Sequence, residues 1–157
     1  MSVENDSKGP AVKFPPPLIF VSFIIIAALV QQYWPLSFSG DLFFKVLGAM
    51  DILAGLIAIL IVKRSFDKVD TEIEPWKPTS AIVSDGLFAY SRNPIYVALG
   101  VITLGVGLIY GSFWVMFSFL PAAVVVYFVA IKNEEAYLER KFGEEYLAYK
   151  AKVRRWV

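Results

Sequence analysis

Cysteine and histidine are both absent from this chain. Without cysteine there are no disulfides, thiol nucleophiles or thiolate metal sites, and without histidine there is no imidazole acid–base catalysis and no imidazole-ligated haem or zinc. No metal centre is expected. Also missing is a glycine-rich phosphate loop or G-x-G-x-x-G turn, so a soluble nucleotide-binding fold is excluded. Lys and Arg number 15 against 14 Asp and Glu. That near-balance gives no basic footprint for nucleic acid. Any chemistry must therefore come from carboxylates, Arg, Lys, Tyr, Asn or a bound cofactor.

What is present is apolar sequence. Hydrophobic residues make up 57% of the 157, above the usual share for a soluble domain. Four stretches approach the ~20 residues needed to cross a bilayer core: residues 16–33, 42–62, 94–110 and 112–131. Only "YGS" separates the last two, which predicts a tight helical hairpin. Residues 1–14 are polar and read as a flexible tail. The first apolar stretch lacks the form of a cleaved secretory signal and reads as a retained span.

Charge is segregated. Lys8 and Lys13 precede the first span; Lys63, Arg64, Lys68, Lys77 and Arg92 lie between the second and third; seven more Lys and Arg follow the fourth. The other connections, "QQYWPLSFSGD" and "YGS", carry none. The positive-inside rule then places both termini and the 63–92 loop in the cytoplasm. Beyond the fourth span, Leu138, Phe142, Tyr146, Tyr149 and Val153 recur at helical spacing among charges. They predict an amphipathic helical stretch that Gly143 breaks into the tail of the fourth span and a separate surface helix, which lies on the membrane or folds over a site on the cytoplasmic face. The expected architecture is all-α and membrane-integral, with four transmembrane helices and this C-terminal cytoplasmic helix.

Three groups of polar residues are candidates for chemistry. In "SRNPIYVALG", Asn93 suits a helix N-cap, Pro94 the first helical position and Arg92 an interfacial anchor; the same residues could instead hold a ligand. Glu134 and Glu135 close the fourth span, where they either end a membrane helix or face a cation, because acids at a helix C-terminus oppose its dipole. Asp51 falls mid-span on a face with Gly48, Gly55 and Ala58, so it turns into the bundle, as a hydrogen-bonded acid or toward a substrate head group. Tyr96, Gly100, Thr103 and Gly107 form a matching small face on the third span, for helix packing or as the wall of a cavity.

The stretch "AIVSDGLFAYSRNPIYVALG", then a helical hairpin, then "NEEAYLERKFGEEYLAYKAKVRRW" resembles the isoprenylcysteine carboxyl methyltransferase family, related to the phospholipid methyltransferases. The match runs from Ile73 onward. It implies a membrane enzyme using S-adenosylmethionine from the cytoplasm and a lipophilic or lipid acceptor from the bilayer, with the inner (plasma) membrane of a prokaryote as its expected location. Carried over by position, cofactor contacts fall on Ser80, Ala81, Ile82, Val83, Phe88, Asn93, Pro94, Ile95, Tyr96 and Glu134. Arg92, the motif arginine, and Asp51 are the candidates for catalysis. Two positions depart from the family's eukaryotic pattern: Asn93 replaces a histidine, and Ala130 replaces an arginine that contacts substrate. On these terms the domains are a tail (1–14), two spans (15–64) and a methyltransferase core (65–157). The competing readings are phospholipid amine N-methylation and a non-catalytic membrane scaffold that keeps the fold.

The charge pattern makes a direct prediction. Reporter fusions after Ser39 and after Val157 should report opposite sides of the membrane; the same side for both would contradict the expected topology.

Overall fold

The structure, a computed structural model, describes residues 9–12 and 14–157. Among the described residues it is all-helical, without strands. Helix α1 spans Pro16–Tyr33 and α2 Leu42–Lys68; a single 3₁₀ turn, Gly86–Ala89, precedes α3, Pro94–Tyr110. A continuous helical rod, Phe113–Phe142, is α4, and Glu144–Lys152 is α5. Three helices, α1, α2 and α4, are long and apolar enough to cross a membrane. Helix α3 is equally apolar, but its 17 residues reach only roughly 25 Å at 1.5 Å per residue.

Local chemistry explains the boundaries. Pro16 and Pro94 occupy first-turn positions of α1 and α3, where a missing N–H costs nothing. The α3–α4 hairpin turns at Gly111, whose φ of 70° places it in the left-handed region, open to glycine without penalty. Ser112 then caps α4 by accepting from the Val115 amide. Gln31 braces this end: its Oε1 accepts from Ser112 Oγ at 2.8 Å and from the Leu36 amide at 3.1 Å.

Helix α2 was expected to stop near Val62, yet it runs on to Lys68. The extra turns carry Phe66 against Phe88, ring centroids 5.6 Å apart. Helix α4 continues beyond the apolar stretch to Phe142 and ends at Gly143, which separates it from α5. Its ladder is interrupted at Ser118, one turn before Pro121, which has no N–H to give the Phe117 carbonyl. A second irregularity, a π turn, spans Tyr127–Ile131.

Helices α1, α3 and α4 share a core built from Ile19, Phe20, Tyr96, Ala122, Val126 and Ile131. Val12 is buried in it and Pro10 is also buried, so this part of the expected flexible tail is packed; residues 1–8 and 13 lie outside the described residues. Helix α2 is peripheral, and its buried residues Gly48, Gly55 and Val62 recur every seventh position. It docks on α3 backbone to backbone: a Cβ on Gly105 would stand 2.5 Å from the Gly48 carbonyl oxygen and 3.0 Å from Asp51 Cβ. The small face of Tyr96, Gly100, Thr103 and Gly107 packs on α4, because a Cβ on Gly107 would strike Met116 at 2.2 Å and one on Gly100 would approach Phe119. Both faces of α3 are lined with small residues, and periodicity cannot say which neighbour each receives. Asp51 does turn into the bundle, half-buried at the α2–α3 contact.

Gly105→Val should therefore lower stability by about 1–3 kcal/mol through overpacking, read as a drop in thermal midpoint in detergent. Gly100→Ala, whose new Cβ would have its nearest neighbour at 3.8 Å, should leave the midpoint nearly unchanged. Equal effects would contradict the packing described.

Candidate functional site

At the end of the bundle where the basic residues gather, one cavity is walled by four segments. The loop after α2 contributes Glu72, Ile73, Glu74, Ala81, Ile82 and Val83; the turn into α3 contributes Phe88, Arg92, Asn93, Pro94, Ile95 and Tyr96. Helix α4 adds Glu134 and Leu138, and α5 adds Tyr146 and Tyr149. Pro75 and Thr79 of the loop, Phe66 of α2 and Pro10 also line it.

The loop is folded onto itself by Thr71. Its hydroxyl accepts from the amides of Ser80 (2.9 Å) and Ala81 (3.3 Å) and pairs with the Ser80 hydroxyl. Tyr137 of α4 accepts from the Thr79 amide at 3.2 Å. At the loop's outer edge Lys77 bridges Glu72 and Glu74, and its ammonium holds the Glu74 carboxyl below the usual range.

Ser91, Arg92 and Asn93 act on the chain's C-terminal segment. The Arg92 amide donates to the Arg154 carbonyl, and its guanidinium Nη1 to the carbonyls of Lys150 and Val153 at 3.1 and 2.8 Å. Asn93 Nδ2 donates to the Arg155 carbonyl at 2.9 Å. Asn93 thus holds the N-cap position without capping through its side chain; that amide is turned to a residue 62 positions away. Arg92 is no interfacial anchor either, since its side chain is only 8% exposed. Its partner is Glu135, at 2.9 Å, which Arg155 grips through both carboxylate oxygens at 2.9 and 3.0 Å. A buried carboxylate is tolerable only when so compensated. The same bond raises the Arg155 pKa, and its guanidinium also stacks over the Tyr127 ring, 5.0 Å from the centroid.

Glu134 has a different partner. Tyr96 Oη donates to its Oε1 at 2.6 Å, which joins α3 to α4 at the cavity wall. Tyr149 donates to the Phe88 carbonyl at 2.8 Å, and burial pushes its phenol up to about 12. One buried donor, Arg92 Nε, has no protein partner among the described residues.

Of the residues singled out from sequence, Ala81, Ile82, Val83, Phe88, Arg92, Asn93, Pro94, Ile95, Tyr96 and Glu134 line this one cavity. Ser80 and Asp51 do not. Ser80 is exposed, with its hydroxyl on Thr71 and the Asp70 carbonyl, and Asp51 sits roughly four turns before the lining residue Phe66 on α2, against Gly105. Sequence reasoning passed over Phe66, Glu72, Glu74 and Arg155. Tyr146 and Tyr149 were visible as an amphipathic face, and that face covers the cavity.

A family model described as phospholipid methyltransferase matches residues 43–145. Protein-S-isoprenylcysteine O-methyltransferase of Schizosaccharomyces pombe is 36% identical over 72 residues, 46% of this chain and 30% of that protein. The chain thus spans less than a third of the length of that relative. An uncharacterized protein of Haemophilus influenzae is 40% identical over 63 residues, 40% of this chain and the whole of that protein.

The two glutamates should differ in what they contribute to stability. Glu135→Ala strands the buried Arg92 and should cost about 3–5 kcal/mol. Glu134→Ala leaves one tyrosine hydroxyl without its acceptor, worth about 1–3 kcal/mol. Unfolding in detergent checks the order, and a larger loss at Glu134 would contradict the partner assignment.

Proposed function

The chain belongs to the phospholipid methyltransferase family, and from that premise we propose that it is a membrane methyltransferase using S-adenosylmethionine, acting on a lipophilic acceptor delivered from the bilayer. The observation that carries the reading is the Glu134–Tyr96 pair facing a cavity walled by Phe66, Phe88, Tyr146 and Tyr149. When bound, the cofactor supplies a methyl group on a cationic sulfonium. The residues fit such a molecule. Carboxylates and aromatic faces favour a cation, apolar Ile82, Val83 and Leu138 suit a flat base, and the orphaned Nε of Arg92 can donate to a carboxylate.

The chain's own contribution is orientation and dryness. Tyr96 fixes the Glu134 carboxylate by one hydrogen bond and leaves Oε2 for a ligand. Helix α5 lays Tyr146 and Tyr149 over the cavity, which excludes water from a reaction in which charge is lost as the acceptor attacks. Holding donor and acceptor in line can supply several kcal/mol without a protein nucleophile, as suits a chain lacking Cys and His. Arg92 is assigned a positioning role, because its Nη groups are engaged by Glu135 and main-chain carbonyls. Asp51 lies off the cavity and is assigned to helix packing.

In this reading α3 crosses the membrane with α4 as a hairpin, giving four spans. Both termini and the cavity face the cytoplasm, and the membrane is the inner membrane of a prokaryote. A carboxylate or similar acceptor needs no base. The second reading, an amine head group of a phospholipid, is favoured by the three carboxylates, Glu72, Glu74 and Glu134, in the lining.

Calorimetry with S-adenosylhomocysteine in detergent tests the proposal. Wild type should bind, and Glu134→Ala and Tyr96→Phe, each folded, should lose about 1–3 kcal/mol of binding energy through unmatched polar groups. Wild-type affinity in both variants would refute the assignment. Binding without transfer of labelled methyl into any lipid or small-molecule extract would favour a scaffold.

A further inference from the structure

Glu134 and Glu135 are chain neighbours that serve different partners, and α4 contains the device that separates them. Its buried positions run Ala122, Val126, then Ala130 and Ile131 together, then Glu135. Steps of four reach Ala130, and the stripe then shifts by one residue to Ile131 before the next step of four to Glu135. There the helix is a π turn, with the Lys132 amide donating to the Tyr127 carbonyl five residues back. The added residue brings Glu135 into line with the core stripe and leaves Glu134 beside it, on the cavity wall with Leu138. Such single-turn expansions are frequent at functional sites.

Glu135 in that position needs compensation on both oxygens. Arg92 reaches Oε1, and Arg155 reaches Oε1 and Oε2. The main chain of Arg155 works at the same time on α3, since its carbonyl accepts from Asn93 Nδ2 and Ser91 Oγ. One residue therefore ties the α4 turn bearing Glu134 to the α3 turn bearing Tyr96. Trp156, next in the chain, packs against the shared core and fixes the segment in place.

We propose that Arg155 is a positioning residue for the Glu134–Tyr96 pair: its side chain holds Glu135, and thereby the register of Glu134 toward the ligand. This rests on the reading of the cavity as the cofactor site. A guanidinium suits the task because its planar fork matches a carboxylate in two bonds, which an ammonium cannot do.

The test measures S-adenosylhomocysteine affinity for wild type, Arg155→Ala and Arg155→Lys, and for Arg155→Ala combined with Glu134→Gln. Arg155→Ala should weaken binding tenfold or more and Arg155→Lys less. In the Glu134→Gln background Arg155→Ala should add less than twofold, because its effect passes through Glu134. A merely structural role would weaken binding equally in both backgrounds and would overturn the proposal, as would wild-type affinity in Arg155→Ala. Where Glu134→Gln binds too weakly to measure, Tyr96→Phe serves as the second background with the same expected non-additivity. Absence of binding by wild type would overturn the cofactor reading itself, a result distinguishable from either of these.

Discussion

A single buried carboxylate, Glu135, governs how the functional end of the bundle closes. An unpaired charge there would cost several kcal/mol, so the chain brings two guanidiniums to it, Arg92 from before α3 and Arg155 from the C-terminal segment. Through Nη1, Arg92 also captures the carbonyls of residues 150 and 153. Three segments far apart in sequence are thus fixed together by one electrostatic requirement. Helix α5 lies over the cavity because the segment following it is anchored there.

The interior of the bundle obeys a different rule. In lipid there is no hydrophobic force between helices, and close packing of small residues takes its place. The Gly48–Gly105 contact draws α2 onto α3, and Gly107 lets α4 approach α3 from the other side. This leaves the bilayer-facing surfaces of α1 and α2 rich in exposed Leu, Ile and Phe and confines polar chemistry to one end.

Much of this was legible in the sequence wherever the signal is local. The bounds of α1 and α3 follow from proline starts and apolar length, and the hairpin from "YGS". Ten candidate residues fall on one cavity because a motif of fixed spacing carries them there together. What was not legible is long-range. Asn93 reads as an N-cap from its neighbours, but its amide answers a carbonyl 62 residues on. Glu134 and Glu135 read as charges that end a span or face a cation, but spacing does not say what compensates them; in the structure Tyr96, Arg92 and Arg155 do, and the helix runs through to Phe142. Ser80 and Asp51 fall outside the cavity for a related reason, since spacing along a chain does not reveal which hydroxyl or carboxylate already has a neighbour nearby.

In the proposed function the methyl donor is held between the 72–83 loop, the start of α3, the glutamate turn of α4 and α5. Ultraviolet cross-linking of radiolabelled S-adenosylmethionine to the detergent-solubilised protein, followed by peptide mapping, addresses it most directly. The account predicts label on peptides covering residues 72–96 or 134–149, displaced by unlabelled S-adenosylhomocysteine. Displaceable label confined to α1, or to the outer loop 34–41, would contradict it.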